Sequence, residues 1–372
     1  MTPAASVAPY FTSLMYLIIG ILGITFLIGF HELGHFTFAK LFRVRTPSFS
    51  IGFGPTLIKK KIGDTVFKVS AIPLGGYVEI AGMQEVAQGD QKEAQSKNQY
   101  SFAVKPYWQK LLILLGGIMF NLLFAYAAFI LLFAVGMPKT AMLGPLYSTT
   151  TVESVHPESP AADIGLKKGD VITGIGSVAL KGEGRALVAE LARYKDGTVE
   201  ITYERNGSLH TATVDYTKVP KEFKGRLGVG LAPKKLARRP FLKAITDGFR
   251  DTNQFIYATV KSYLSILRRC STTGLGGPLM IISSMSQGAR YGFKIWLFLL
   301  AIISINLAVL NLIPVPILDG GQLLFTTIEA IIRRPIPDSA RMIIHYICWI
   351  AVLLLVIYLS CKDLKAIFKR KP

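Results

Sequence analysis

Apolar residues are gathered into four long blocks along this chain of 372 residues. Each block approaches or exceeds the roughly 17–25 residues that a helix needs to cross the hydrocarbon core of a bilayer. A buried core helix could account for one such block, but it is a poor explanation for four. We therefore predict an α-helical polytopic membrane protein with about four transmembrane helices. The blocks are Leu14–Phe30, Leu111–Val135, Ile295–Ile317 and Ile343–Leu359.

The segment between the first two blocks predicts a β-hairpin. Residues Thr65–Ile72 and Pro73–Ile80 are two short β-like runs that flank a Pro/Gly turn. Such a hairpin could have no role beyond packing against the rest of the protein. Alternatively, its edge could form backbone hydrogen bonds with an extended substrate. Residues Gln84–Asn98 are polar and lack apolar periodicity, which predicts a linker.

Residues 138–234 are polar, with regular turn signals, and are long enough for one small α+β domain. Residues Ser159–Ile172 begin a short helix at Ser-Pro and end it at glycine before a β-like run. Two further strands, Thr198–Arg205 and Leu209–Asp215, flank Asn206-Gly207, a strong hairpin turn. After this domain, Phe241–Arg269 has apolar residues at helical spacing, as in a helix that lies on the membrane or packs on the domain.

Charge indicates how the chain is oriented and which partners it meets. The formal net charge is +19, but the basic residues are dispersed over the loops without a nucleic-acid-binding motif. Membrane lipid is therefore the expected anionic partner, and nucleic acid is excluded. The first positive residue is Lys40, directly after the first helix, whereas a cleavable signal peptide opens with positive charge. The positive-inside rule then places residues 40–106 in the cytoplasm and residues 138–234 outside, although it would prefer the basic tail inside.

A short motif, His31-Glu32-Leu33-Gly34-His35, lies at the inner end of the first apolar block. Histidines four apart share one face of a helix and can hold one zinc ion, with the glutamate beside the metal as general base. A catalytic zinc site needs a third protein ligand, and Glu329, His345 and Asp319 lie in apolar surroundings. Asp319 is favoured because two prolines break the helix that precedes it. At membrane depth such a break is tolerated only where the backbone is buried inside the protein or lines a water-filled cavity, and a carboxylate there is well placed to reach a metal.

These features together resemble the site-2 protease family of intramembrane zinc metalloproteases, in its bacterial RseP-like branch. The matching elements are HELGH (31–35), PLGGYV (73–78), NLIPVPILDGG (311–321) and a single domain with SPA…GLKxGDxI that resembles a bacterial PDZ domain. The family's second-helix AGPxxN pattern is present as Gly116–Asn121 without its proline, which leaves the role of Asn121 open.

The resemblance implies a role for each matched residue. His31, His35 and Asp319 would bind one Zn²⁺ per chain, and Glu32 would be the catalytic base. Substrate-binding residues would come from two other elements. They are Asn311, Pro314 and Pro316 of the broken helix, and Gly75, Gly76 and Tyr77 of a cytoplasmic-side, membrane-associated β-hairpin.

The implied function is zinc-dependent intramembrane endoproteolysis in a bacterial cytoplasmic (inner) membrane. Expected partners are transmembrane protein substrates, such as anti-sigma factors or remnant signal peptides, and a peptide or protein ligand of the extracytoplasmic PDZ-like domain. The alternative is a catalytically silent membrane scaffold, which would have no use for Glu32 beside the metal.

The expected order of segments along the chain is a first transmembrane helix (1–39), a cytoplasmic loop with the hairpin (40–106), a second transmembrane helix (107–137), the PDZ-like domain (138–234), an amphipathic helical region (235–290), a third transmembrane helix (291–321), and a cytoplasmic loop, fourth transmembrane helix and basic tail (322–372).

Overall fold

The computed structural model describes residues 3–83, 98–138, 147–220, 223–234, 237–269 and 276–369. The predicted linker at Gln84–Asn98 lies outside the described residues except for its last one. The chain forms two compact units, one of Met1–Leu132 with Pro240–Pro372 and the other of Phe133–Arg239. In chain order the helices are α1 (Pro3–Leu41), α2 (Tyr107–Val135), α3 (Pro160–Asp163), α4 (Gly184–Leu191), α5 (Phe241–Arg269), α6 (Pro278–Arg290), α7 (Phe293–Asn311), α8 (Asp319–Ile332) and α9 (Asp338–Lys369). The strands are β1 (Ser48–Ile62), β2 (Thr65–Glu79), β3 (Ser148–Val155), β4 (Val171–Ile175), β5 (Val178–Ala179), β6 (Thr198–Arg205), β7 (Ser208–Asp215) and β8 (Val229–Pro233).

Four helices are long and apolar enough to cross a membrane, which fits a polytopic membrane protein. The candidate spans are Thr12–Leu41, Tyr107–Val135, Phe293–Asn311 and Ser339–Lys365. The third block was predicted to run to Ile317, and this is wrong, because α7 ends at Asn311. Pro314 and Pro316 lack N–H donors and disfavour helical backbone at the preceding residue, so the chain stays irregular until α8 begins.

The β-hairpin is present, but the predicted strands and turn are wrong. Both predicted runs belong to one strand, β2, which pairs with β1 across a turn at Gly63-Asp64. The first part of β1, Ser48–Ile51, pairs with Gly76–Glu79 and also with Val66–Val69. The sequence pattern failed because it paired neighbouring runs, whereas the partner strand lies before both of them.

Helix α5 packs on two of the candidate spans. The Phe255 ring stacks on Phe129 of α2, with ring centroids 5.2 Å apart, and meets Phe298 of α7 edge-on. The Tyr263 hydroxyl donates to Asn306 Oδ1 of α7 at 3.0 Å. Helices α2 and α7 therefore cover part of the apolar face of α5, a contact that neither predicted placement included, while Val260 and Leu264 of that face are 38% and 48% exposed.

Helix α6 joins the beginning of the chain to its end. The Arg290 guanidinium donates to the Ser13 hydroxyl of α1 at 2.7 Å. Asp363 of α9 accepts the backbone N–H groups of Gly277 and Met280 at the start of α6, at 3.2 and 3.0 Å. The last turn of α6 is therefore attached to α1, and its first turn is attached to α9.

The second unit, Phe133–Arg239, is an α+β domain. Its sheet has the strand order β7-β6-β4-β3-β8, with β5 paired to β4. Strands β6 and β7 are joined at Asn206-Gly207, where both residues have positive φ (54° and 82°), as a type I′ turn requires. Asp170 accepts two hydrogen bonds from Arg205 at 2.8 Å, and this guanidinium holds the pKa of the Asp170 carboxyl below its usual range.

Candidate metal centre

The HELGH motif lies within α1, where helical geometry sets its two histidines on one face. His31 and His35 are both buried, at 8% and 6% exposure. Their Nε2 atoms lie 3.2 Å apart. The four-residue spacing alone produces this pair, because residues i and i+4 of a helix are neighbours.

Asp319 reaches the same point from α8, of which it is the first residue. Its Oδ2 atom lies 3.1 Å from His31 Nε2 and 3.4 Å from His35 Nε2. The segment 312–318 folds back over the first turn of α8 and leaves no room for side chains there. A Cβ atom at Gly320 would lie 2.4 Å from the Ile313 carbonyl oxygen, and one at Gly321 would lie 2.2 Å from that of Val315. The two glycines after Asp319 therefore permit the close packing that fixes its position.

Helix α2 orients both imidazole rings. His35 Nδ1 donates to the Ile113 carbonyl oxygen at 2.8 Å, which leaves His35 Nε2 with a free lone pair. The side-chain amide of Asn121, fully buried, lies 3.0 Å from His31 Nδ1. Asn121 is thus a positioning residue for His31. The Gly116–Asn121 pattern in the sequence indicates Asn121 as a candidate, whereas no sequence pattern indicates the contact between the Ile113 carbonyl and His35.

Two close glycine contacts bring α2 this near to α1. A Cβ atom at Gly34 would lie 2.2 Å from the Gly116 carbonyl oxygen, so no larger residue fits at that crossing. A Cβ atom at Gly117 would lie 2.5 Å from His35 Nε2 and 2.6 Å from His31 Nε2. The space in front of the two ring nitrogens therefore stays open because residue 117 has no side chain.

The donor set and its spacing fit a zinc ion. Asp319 Oδ2 is buried and accepts no hydrogen bond from the described residues, although two imidazole nitrogens face it. Bringing three lone-pair atoms together without a cation is unfavourable. In a tetrahedral site with Zn–N bonds of 2.0–2.1 Å, ligand atoms are about 3.3 Å apart. The three separations here, 3.1, 3.2 and 3.4 Å, match that value.

The other two sequence candidates for the third ligand lie elsewhere. Glu329 Oε1 accepts from Arg341 at 2.7 Å and from the Ile336 N–H at 3.0 Å. His345 Nε2 lies 3.3 Å from the side-chain amide of Gln322. Among the residues that the structure describes, only His31, His35 and Asp319 form a group able to hold a metal ion.

Glu32 lies beside this group and against the edge of β2. The Val78 N–H donates to Glu32 Oε2 at 3.2 Å, and a Cβ atom at Gly76 would lie 3.6 Å from Glu32 Cγ. Within the described residues, 76–79 pair with one strand segment, Ser48–Ile51. Because the Val78 N–H points to Glu32 and away from that segment, the open edge of β2 faces the centre.

The other sequence-predicted residues lie at different distances from the three metal-facing atoms. The Asn311 side-chain amide is 3.4 Å from His31 Nε2, so it lies at the centre itself. Tyr77 directly precedes Val78, and its ring stacks on the ring of Phe53. The Phe53 ring also lies against Gly75. Pro314 and Pro316 lie in the segment that folds over α8, with Pro314 exposed.

Comparison with known proteins agrees with this geometry. The model of peptidase family M50 matches residues 19–356. A Clostridium perfringens protein, named as an inferred zinc metalloprotease, is 30% identical over 94% of this chain and 98% of its own length. Proteins with the same inferred name from Campylobacter jejuni and Synechocystis are 29% and 30% identical, and each alignment covers 92–93% of both chains. A solved PDZ domain of the SdrC-like protein from Listeria monocytogenes matches 23% of this chain and 88% of that domain, at 30% identity and a TM-score of 0.20.

The family match covers most of the chain and includes both the α1 histidines and Asp319. The relatives align over nearly their whole lengths. This chain belongs to peptidase family M50, the site-2 protease family of zinc metallopeptidases.

Proposed function

We propose that the protein cleaves peptide bonds within or near transmembrane segments of other proteins, at one zinc ion held by His31, His35 and Asp319. The observation that carries this proposal is the position of the three metal-facing atoms inside a bundle of apolar helices, next to the half-buried carboxylate of Glu32. When bound in such a site, zinc lowers the pKa of water towards ~7 and polarises a substrate carbonyl.

Glu32 is proposed to move the protons of the reaction. Its carboxylate takes a proton from the attacking water and returns it to the amine of the departing peptide. The Val78 N–H bond holds Oε2 on the β2 side, so the carboxylate is oriented before substrate arrives. A scaffold protein with a structural zinc site would need neither this carboxylate nor its orientation.

The open edge of β2 is proposed to hold the substrate in extended form. A transmembrane helix hides its carbonyl groups in internal hydrogen bonds and must unwind before hydrolysis. Residues Gly76–Val78 offer strand pairing directly beside Glu32, which would compensate the released backbone groups. Asn311 is proposed to donate to the substrate near the metal, while Pro314 and Pro316 keep the backbone of segment 312–318 irregular. Gly75 and Tyr77 complete this substrate-binding hairpin.

The domain within Phe133–Arg239 is proposed to be a PDZ-like module that binds a peptide or restricts access to the centre. Its strand β8 is at one end of the sheet, and a cavity of about 580 Å³ is lined by residues of β8 and of α4. An extended peptide added beside β8 would fill that cavity. Single-span proteins already trimmed by another protease, such as anti-sigma factors, or remnant signal peptides are the proposed substrates.

Removal of zinc tests the proposed activity. Purified full-length protein is expected to cut a model single-span substrate in detergent, to stop after treatment with 1,10-phenanthroline, and to recover when zinc is restored. Cleavage is followed by gel and by mass spectrometry of the products. Unchanged cleavage by protein shown to contain no zinc would contradict the proposal, and zinc-loaded protein that cuts no substrate would favour the scaffold.

We propose that the protein lies in a bacterial cytoplasmic membrane with residues 40–106 inside and the PDZ-like domain outside. Four spans would return the basic tail to the side where the chain begins, contrary to the charge preference of the tail itself. With the three native cysteines replaced by serine, single cysteines introduced at Asp90 and Glu200 are expected to react with an impermeant maleimide from opposite sides of the membrane. Labelling of both from the same side would contradict this orientation.

A further inference from the structure

A cavity of about 560 Å³ lies where the beginning of α2, the end of α8 and the beginning of α9 come together. We call it the basic cavity, and its charged lining residues are Lys110, Glu329, Arg333, Arg334 and Arg341. Its volume is in the range of small-molecule sites. None of these side chains belongs to the proposed metal or substrate machinery.

The charges lining the basic cavity are unbalanced. Among the described residues that line the cavity, four are cationic and one is a carboxylate, which gives these residues an excess of three positive charges. Glu329 is already engaged, because one oxygen accepts from both Arg341 and the backbone N–H of Ile336. Glu329 therefore fixes the turn between α8 and α9. Among the described residues, no carboxylate lies within 4 Å of Lys110, Arg333 or Arg334 to form an ion pair.

The local backbone keeps the two exposed arginines at the cavity. Arg333 ends α8 in left-handed backbone, with φ of 56°, and Pro335 follows within two residues. Lys110, from α2, lies over the Phe102 ring with its Nζ 5.6 Å from the centroid. Cations from two elements more than two hundred residues apart thus surround one space. An arginine guanidinium matches the oxygens of a phosphate group in pairs, and lysine adds a point charge.

The surface beside the cavity has the character of a membrane interface. Tyr107 and Trp108 begin the α2 span with exposed rings, at 40% and 54% exposure. Such aromatic residues are enriched at the level of lipid headgroups. Ile331 and Ile332, at the end of α8, are 75% and 58% exposed and would face acyl chains. The cavity mouth therefore lies where headgroup phosphates are available.

We propose that the basic cavity binds one phosphate-bearing anion, supplied by the headgroup of an anionic phospholipid or by a soluble phosphate compound. Aromatic and aliphatic residues beside it favour the lipid. The site is separate from peptide hydrolysis, so it stands or falls independently of the proposed protease activity.

Lipid retention and phosphate protection test this site. Full-length protein is incorporated in nanodiscs of phosphatidylcholine and phosphatidylglycerol at 3:1, extracted into mild detergent and measured by native mass spectrometry. The test variant is Lys110→Gln with Arg334→Gln. The control, Lys167→Gln with Lys168→Gln, makes the same charge change on exposed residues of the second unit. Thermal stability is measured in parallel with inorganic phosphate, and a cooperative unfolding transition without phosphate confirms that each variant is folded.

The wild type and the control are expected to retain one phosphatidylglycerol, and the test variant to bind it at least about tenfold more weakly. If no lipid is retained but inorganic phosphate stabilises the wild type and control and not the test variant, the site takes a soluble anion. If the folded test variant equals the wild type in both assays, or if neither lipid nor phosphate binds the wild type, the proposal is overturned.

Discussion

Replacement of Glu32 by glutamine is expected to leave about one zinc ion per chain bound and to lower the cleavage rate of a model transmembrane substrate by at least ~10². Glutamine keeps the size of the side chain and can still accept from the Val78 N–H, but it cannot take a proton. Metal content is measured by inductively coupled plasma mass spectrometry, and cleavage by a time course on gels.

Glu200→Gln is the matched control for this substitution. Glu200 is an exposed carboxylate in β6 of the second unit, far in sequence from every proposed site residue. Its loss should change neither zinc content nor cleavage rate. If Glu32→Gln cut the substrate near the original rate, Glu32 would not be the general base and the hydrolytic mechanism would be wrong. The inactive, zinc-loaded variant should also capture uncut substrates from membranes, which would identify them.

Replacement of Asp319 by alanine is expected to abolish both zinc binding and cleavage. The two imidazole nitrogens would remain, but the carboxylate oxygen 3.1 and 3.4 Å from them would be gone. Loss of groups that only support metal ligands costs 10–100-fold in metal affinity, so loss of a ligand should cost at least about 10²-fold. Zinc affinity is measured by competition with a chromogenic chelator.

Asp363→Ala provides the control for Asp319→Ala. Asp363 is also a buried carboxylate of the unit that contains the metal-facing atoms. It accepts hydrogen bonds from two backbone N–H groups at the start of α6, away from those atoms. This variant should have lower thermal stability but retain its zinc. Full zinc and activity in Asp319→Ala would mean that another group supplies the third ligand. Glu329 and His345 would then be tested by substitution, although both are engaged elsewhere in the structure.

Local sequence patterns predicted the elements whose partners lie nearby in the chain. The four-residue spacing in HELGH needs only one helix to bring its ring nitrogens together, and the structure has them 3.2 Å apart. Asn206-Gly207 needs only two adjacent strands, and β6 and β7 pair across it. The same limit explains the errors. Residues Gly76–Glu79 pair with Ser48–Ile51, at least 25 residues earlier in the chain, and not with the neighbouring run. The apolar block was extended to Ile317, six residues past the end of α7, because the residues after Asn311 stay apolar although the prolines among them break the helix.

The sequence by itself determined the helix that carries His31, Glu32 and His35, the apolar spans, and a short set of candidates for the third ligand. Only the tertiary structure decided among those candidates, since Asp319 lies 284 residues after His35 and reaches it through the close packing of Gly320 and Gly321. It also supplied the contacts that leave no trace in residue type, such as the Ile113 carbonyl on His35 and the Val78 N–H on Glu32. The reason is physical. Periodicity records the local geometry of one element, whereas a metal centre depends on distances between elements, which are set by packing between side chains and backbone groups far apart in the chain.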